Sequence, residues 1–305
     1  MSGRHFLVVF LFLALPPAVS ATSYVSPSSH TAESALWGEH ETSVETAASA
    51  SDNRREDIPV QKNPPLWLEH AVPEPEAEED TPMIAIVIDD LGINRKMTEA
   101  VLKLPAPITT AFLAYAENLP EQTERARKNG HELLMHIPME PVNPHFDPGP
   151  NTLLTKMTGG EISERLNAML SSFDGYVGIN NHMGSRFSAD KAAIGAVIDE
   201  LKKRGLIFLD SMTSGNSSGW KSARDRNVPY AVRDIFLDNA HDENEIMKQL
   251  DLVEKQALKH HVAVAIGHPH ATTVNALKKW IPKATEKGFV FIPVSLVALI
   301  GQEKY

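Results

Sequence analysis

The stretch Ile84-Ala-Ile-Val-Ile-Asp89-Asp90-Leu-Gly92 runs five apolar residues straight into two carboxylates and a turn glycine. The apolar run has the length and β-branched content of a buried strand. Three further segments repeat the pattern: His131-Glu-Leu-Leu-Met-His136-Ile-Pro-Met-Glu140, Ile179-Asn-Asn-His182 and Ala263-Val-Ala-Ile-Gly-His268-Pro-His270. Ionisable side chains at the tail of buried strands are expensive to desolvate unless a metal or a partner compensates them. Four such tails in one chain predict a single shared site.

Working outward, strand-like segments at 83–89, 109–114, 132–137, 176–180, 206–210, 231–235, 262–267 and 289–293 alternate with helical patterns. The helical patterns cover 95–103, 119–129, 160–173, 189–204, 243–259 and 272–287. Alternation of this kind predicts an α/β fold, a single distorted (β/α) barrel of seven or eight mostly parallel strands over residues 81–305. In such a barrel the C-terminal strand ends converge, and the Asp and His clusters fall there. Residues 211–230 read as an unusually long irregular stretch.

The chain opens with Arg4-His5, an apolar run from Phe6 to Leu15, and Val19-Ser20-Ala21, a small-x-small cleavage pattern. This predicts a signal peptide over 1–21 and a periplasmic or secreted mature protein beginning near Thr22. The run is well short of the roughly 20 apolar residues that span a bilayer, so no stable membrane anchor is expected. The chain has no cysteine, which excludes disulfides, thiolate zinc sites and cysteine nucleophiles.

Residues 22–80 read as a disordered acidic linker, with 13 acidic and 3 basic residues that account for the chain's whole net charge of −10. The remainder is nearly neutral, so no nucleic-acid partner is expected. The trio Leu66-Trp67-Leu68 is read as part of that linker rather than as a docked element.

At the strand ends, alternation sends Asp89 and Asp90 to different sides and to different tasks. His136 ends its strand; Glu140 lies four residues on, but Pro138 between them argues against a continuous helix. Asn180, Asn181, His182, Ser185 and Arg186 form a dense polar series that reads as a ligand site or as a turn. His268 is preferred over His270 because it lies nearer its strand. Gly215-Asn-Ser217-Ser-Gly219 matches the G-x-S-x-G elbow, but that motif needs a strand leading directly into it and a helix directly after it. The strand here ends near Asp210 and residues 220–227 are weakly helical, so a serine hydrolase is not expected.

The order of these motifs resembles that of the polysaccharide deacetylases of the NodB-type superfamily, most closely their divergent, YibQ-like branch. Ile88-Asp89-Asp90-Leu91-Gly92 is similar to the family's Asp-Asp-Gly strand end. Gly130-His131-Glu132-Leu-Leu-Met-His136-Ile-Pro-Met-Glu140 is similar to its Gly-His-Glu-x-x-x-His-x-x-x-His motif, with Glu140 in place of the last histidine. Asn180-Asn181-His182-Met-Gly-Ser185-Arg186-Phe187 holds the position of an Arg-Pro-Pro-Tyr motif and departs from it. Leu209-Asp210-Ser211 and Ala265-Ile-Gly267-His268 stand for the last two motifs.

The resemblance implies Asp89 as general base, His268 as general acid, Asp90 and His136 as metal ligands, and Arg186 and Asp210 as supports of the base. It leaves Glu140 or His182 to complete the ligand set, and Pro138 favours His182. Two imidazoles and a carboxylate with an open position form a common catalytic zinc set. The expected function is zinc-dependent removal of N-acetyl groups from an envelope polysaccharide. The alternatives are a non-catalytic carbohydrate-binding or envelope-assembly protein on the same fold, and another metal-dependent C–N or ester hydrolase.

Overall fold

The computed structural model of the protein describes residues 64–305 except 79, 106 and 303; the expected leader and linker residues 22–63 lie outside the described residues. The strands are β1 Met83–Leu91, β2 Thr109–Leu113, β3 Glu132–Met139, β4 Gly178–Met183, β5 Ile207–Asp210, β6 Tyr230–Val232, β7 Ile235–Phe236, β8 Val262–Gly267 and β9 Val290–Phe291. The helices are α1 Leu66–His70, α2 Arg95–Val101, α3 Leu119–Lys128, α4 Gly159–Leu170, α5 Lys191–Arg204, α6 Gly219–Asp225, α7 Glu243–His260, α8 Ala271–Glu286 and α9 Val294–Ile300. Among the described residues no helix is long and apolar enough to cross a membrane.

All strands pair in parallel, in the order β6-β5-β4-β3-β2-β1-β8-β7, with β9 beside the start of β1. The sheet curls into a half-barrel. The strand expected over 231–235 is split: β6 pairs with β5, β7 pairs with β8, and Arg233 and Asp234 lie between them. One short run of chain thereby bridges from β5 to β8, through Arg233 N–H on the Asp210 carbonyl and Asp234 N–H on that of Val264.

The two faces of the sheet carry different residues. Ile84, Ile86 and Ile88 of β1 pack outward against the helices, while Ala85 and Val87 point into the barrel with Leu134, Ile207, Leu209, Val264 and Ile266. Buried on both sides, β1 has no room for the polar alternation of a half-exposed strand.

The N-terminal ends of the strands are closed by two helices. α9 sends Val294 and Val297 into the inner cluster, and Trp67 of α1 joins it, only 7% exposed. Trp67 N–H bonds the Gly205 carbonyl at 2.9 Å, and His70 Nδ1 lies 2.9 Å from the Tyr176 carbonyl. The expectation that Leu66–Leu68 is plain linker is thus corrected: an indole that fills a barrel floor removes far more apolar area from water than its short segment suggests. Residues 211–230 are also more ordered than expected, since they contain α6.

His131 and Glu132 sit on this closed end. Glu132 Oε1 accepts from Ser295 N–H, at the start of α9, and from Thr109 Oγ1. Their role in the His-Glu motif is therefore architectural, about one strand length from the open rim where β3 ends.

Candidate metal centre and active site

The pairing of β1 with β2 shifts register between Ile88 and Leu91, and Asp90 adopts a left-handed backbone (φ 56°). The bulge cancels the strand alternation at this point. Asp89 and Asp90 consequently line one cavity of about 420 Å³ instead of pointing to different sides. Met183 (φ 52°) and Met212 (φ 49°) line the same cavity in the same left-handed region. Strain at three non-glycine positions, about 1–3 kcal/mol each, is concentrated where the side chains must be aimed.

β3 delivers His136 and the neighbouring β4 delivers Asn180 opposite it in register. Asn180 Nδ2 donates to Asp89 Oδ1 at 2.8 Å, and a carboxylate only accepts, so the amide oxygen must face His136. It does, 2.7 Å from His136 Nδ1. The Nδ1 proton of His136 is therefore committed to Asn180, and Nε2 faces Asp90 Oδ1 at 3.3 Å and Asp89 Oδ2 at 3.6 Å.

Two residues further along β4, His182 Nδ1 lies 2.8 Å from Asp90 Oδ1. Asp90 Oδ1 is buried and makes no hydrogen bond of proper geometry, despite two ring nitrogens this close. Asp90, His136 and His182 offer donor atoms all within 4.8 Å of one another. An orphaned carboxylate oxygen facing two imidazole nitrogens is what a divalent cation satisfies, and the donor set fits zinc. Burial opposes ionisation of Asp90, but the close approach of His136 and His182 outweighs it and holds its pKa well below the usual range.

Glu140 stands apart. Its Oε2 accepts from both the backbone and the hydroxyl of Thr155 at 2.7 Å, and its Oε1 lies 3.5 Å from Arg186 Nε. The geometry brings His182, and not Glu140, to the triad.

Two titratable groups flank the triad. Asp89 is buried, and desolvation raises its pKa against the pull of His136 and His268. His268 follows β8; its Nε2 faces Asp90 Oδ2 at 3.9 Å and its Nδ1 lies 3.0 Å from Oδ1 of the fully buried Asp238. Asp238 Oδ2 also accepts His268 N–H at 2.6 Å and the Thr273 hydroxyl at 2.8 Å. Burial works against the imidazolium, but Asp238, Asp89 and Asp90 prevail and push the His268 pKa up to about 9.

Arg186 and Asp210 are not where supports of Asp89 would have to be. Arg186 is half-exposed beyond β4, where it donates to the Val142 carbonyl beside Glu140. Asp210 is buried at the end of β5, but it accepts from Met212 N–H, Ser217 Oγ and Trp220 N–H, organising the chain into α6. The arginine that lines the cavity is Arg233, whose Nε and Nη2 hold the carbonyls of Ser211 and Met212 at 2.6 and 2.7 Å. Sequence reasoning missed this residue because nothing sets it apart from the other arginines. It also missed Asp238, which closes the apolar run Ile235-Phe236-Leu237 like the other tails; placing the strand over 231–235 hid it.

The serine elbow is not formed. α6 does follow Gly219, unlike the weak helix expected, but no strand enters the turn, and the Ser217 hydroxyl donates to Asp210 at 2.7 Å.

With this geometry in place, residues 86–298 match the family described as divergent polysaccharide deacetylase, and the chain belongs to that family. It is 34% identical over 198 residues to YibQ, an uncharacterised protein of Escherichia coli K12, covering 65% of this chain and 62% of that one. The matched segment therefore spans less than two thirds of the E. coli relative. An uncharacterised protein of Haemophilus influenzae Rd is 33% identical over 196 residues, covering 64% of this chain and 69% of that one. The crystal structure of the uncharacterised protein ATU2773 from Agrobacterium tumefaciens C58 superposes with a TM-score of 0.74 at 30% identity, covering 76% of this chain and 95% of that one.

Proposed function

We propose that the protein is a zinc-dependent hydrolase that removes N-acetyl groups from an envelope polysaccharide, acting in the periplasm or outside the cell after loss of its leader. The observation that carries this reading is the pair of proton-transfer groups beside the triad. Asp89 lies 3.6 Å from His136 Nε2, and His268, paired with buried Asp238, lies 3.9 Å from Asp90.

Asp90, His136 and His182 would hold the ion. A zinc ion held there would supply Lewis-acid chemistry. Asp89, buried beside the triad and held by Asn180, would take the proton from the attacking water. His268, kept protonated by Asp238, gives a proton to the leaving nitrogen from its Nε2 edge. Asn180 holds His136 and Asp89 in register with each other. Met183, Met212, Phe236 and Ile266 form the apolar wall of the cavity, a surface suited to the acetyl methyl. The test is acetate release from N-acetylglucosamine oligomers by the purified mature chain loaded with one equivalent of zinc, with Asp89→Asn as the control.

A further inference from the structure

A second group of donors lies beside the triad. Asp238, His268 and His270 each offer an atom within 4.8 Å of the others. His270 N–H closes a tight turn on the His268 carbonyl at 2.7 Å, across Pro269, which leaves the two rings 6.0 Å apart. His270 occupies the N-cap of α8 without capping it by its side chain, and His241 stacks on its ring at 4.0 Å.

The geometry points to a second divalent-metal site formed by Asp238, His268 and His270, whose filling withdraws His268 from proton transfer. Two ligand atoms at about 2.0–2.1 Å from a tetrahedral ion sit roughly 3.3 Å apart. Asp238 Oδ1 and His268 Nδ1 are 3.0 Å apart, so an ion can replace the proton they share with little movement. Asp238 Oδ2 keeps its bonds from His268 N–H and Thr273, which fix the carboxylate for the ion. Two imidazoles and one carboxylate select zinc, copper(II) or nickel over magnesium and calcium.

This site is not half of a co-catalytic pair. Such pairs hold ions about 3.5–4 Å apart, whereas here the whole His268 ring stands between, with Nε2 toward Asp90 and Nδ1 toward Asp238. The positive end of α8 beside His270 opposes a cation, so the second site fills after the first. The effect on turnover rests on the deacetylase reading. Bound through Nδ1, His268 would become an imidazolate on giving up its Nε2 proton, and is a far weaker acid than an imidazolium.

The experiment is equilibrium dialysis of the mature full-length chain against zinc, with acetate release measured in parallel. Wild type binds two ions, one tightly and one more weakly. His270→Ala loses the weaker ion, and His182→Ala loses the tight one and keeps the weaker. Circular dichroism checks that each variant is folded; His270 is at the rim, where truncation leaves the core intact. A single ion in wild type at saturating zinc, or a second ion unchanged in His270→Ala, overturns the site. Excess zinc slows wild-type turnover at least about 10-fold, the scale on which ligand-shell changes act, and leaves His270→Ala unaffected. Two bound ions with undiminished wild-type turnover overturn the inhibitory role. Two bound ions in a chain that releases no acetate at any zinc concentration count against the deacetylase reading and leave the second site supported.

Discussion

Asn180 accepts the Nδ1 proton of His136 at 2.7 Å and donates its own amide proton to Asp89 at 2.8 Å. One amide thus fixes the Nδ1 proton of the proposed ligand His136 and the orientation of the proposed base Asp89. Asn180→Ala removes both bonds without touching the ion. Metal affinity is expected to fall by roughly 10- to 100-fold, the usual scale for a partner of a ligating histidine, measured by chelator competition. An unchanged affinity would show that His136 is oriented by something else.

The exchange of Glu140 for His182 predicts an asymmetry. His182→Ala is expected to abolish tight zinc binding, whereas Glu140→Gln, whose carboxylate is engaged by Thr155 and Arg186, should cost at most about 10-fold. Elemental analysis after dialysis ranks the two. The opposite ranking would return Glu140 to the ligand set.

The floor of the barrel can be tested without any assay of activity. Trp67→Ala leaves a cavity among Val177, Ile207 and Val297 and is expected to destabilise the domain by about 3–5 kcal/mol. Urea titration measures it. A change below about 1 kcal/mol would mean that α1 merely rests on the surface.

Glu132 makes stability depend on pH. Burial raises its pKa to about 7 from 4.5, and its Oε2 has no hydrogen-bond partner. The folded state therefore holds a proton that the unfolded chain releases near pH 4.5. Its contribution is fully present below pH 4.5 and is lost as pH rises through 7, by up to roughly 3 kcal/mol. Glu132→Gln removes the titration, so its stability relative to wild type should be higher at pH 8 than at pH 4. A difference that does not vary with pH would contradict the assignment.

Much of this was legible in the sequence because strand-end chemistry is written locally. The apolar runs before Asp89, His136, His182 and His268 placed four residues of one site at the ends of β1, β3, β4 and β8, four of five consecutive strands. What stayed hidden depends on geometry that no local pattern encodes. The left-handed turn at Asp90 reversed its expected side, the split of one strand concealed Asp238, and the bridging run put Arg233 at the cavity while Arg186 went to Glu140. Trp67 looked like linker because its partners, Val177, Ile207 and Val297, lie more than a hundred residues away in the chain.

The central claim is that Asp89 and His268 are base and acid beside a zinc site. The most direct measurement is the pH dependence of acetate release from N-acetylglucosamine oligomers by wild type and Asp89→Asn, each with its metal content determined. Wild type should give a bell whose alkaline limb reflects His268 near pH 9, and Asp89→Asn should lose about 10²- to 10⁴-fold in kcat with its metal retained. Acetate release that Asp89→Asn leaves unchanged, or a metal-loaded wild type that releases none, would contradict the account.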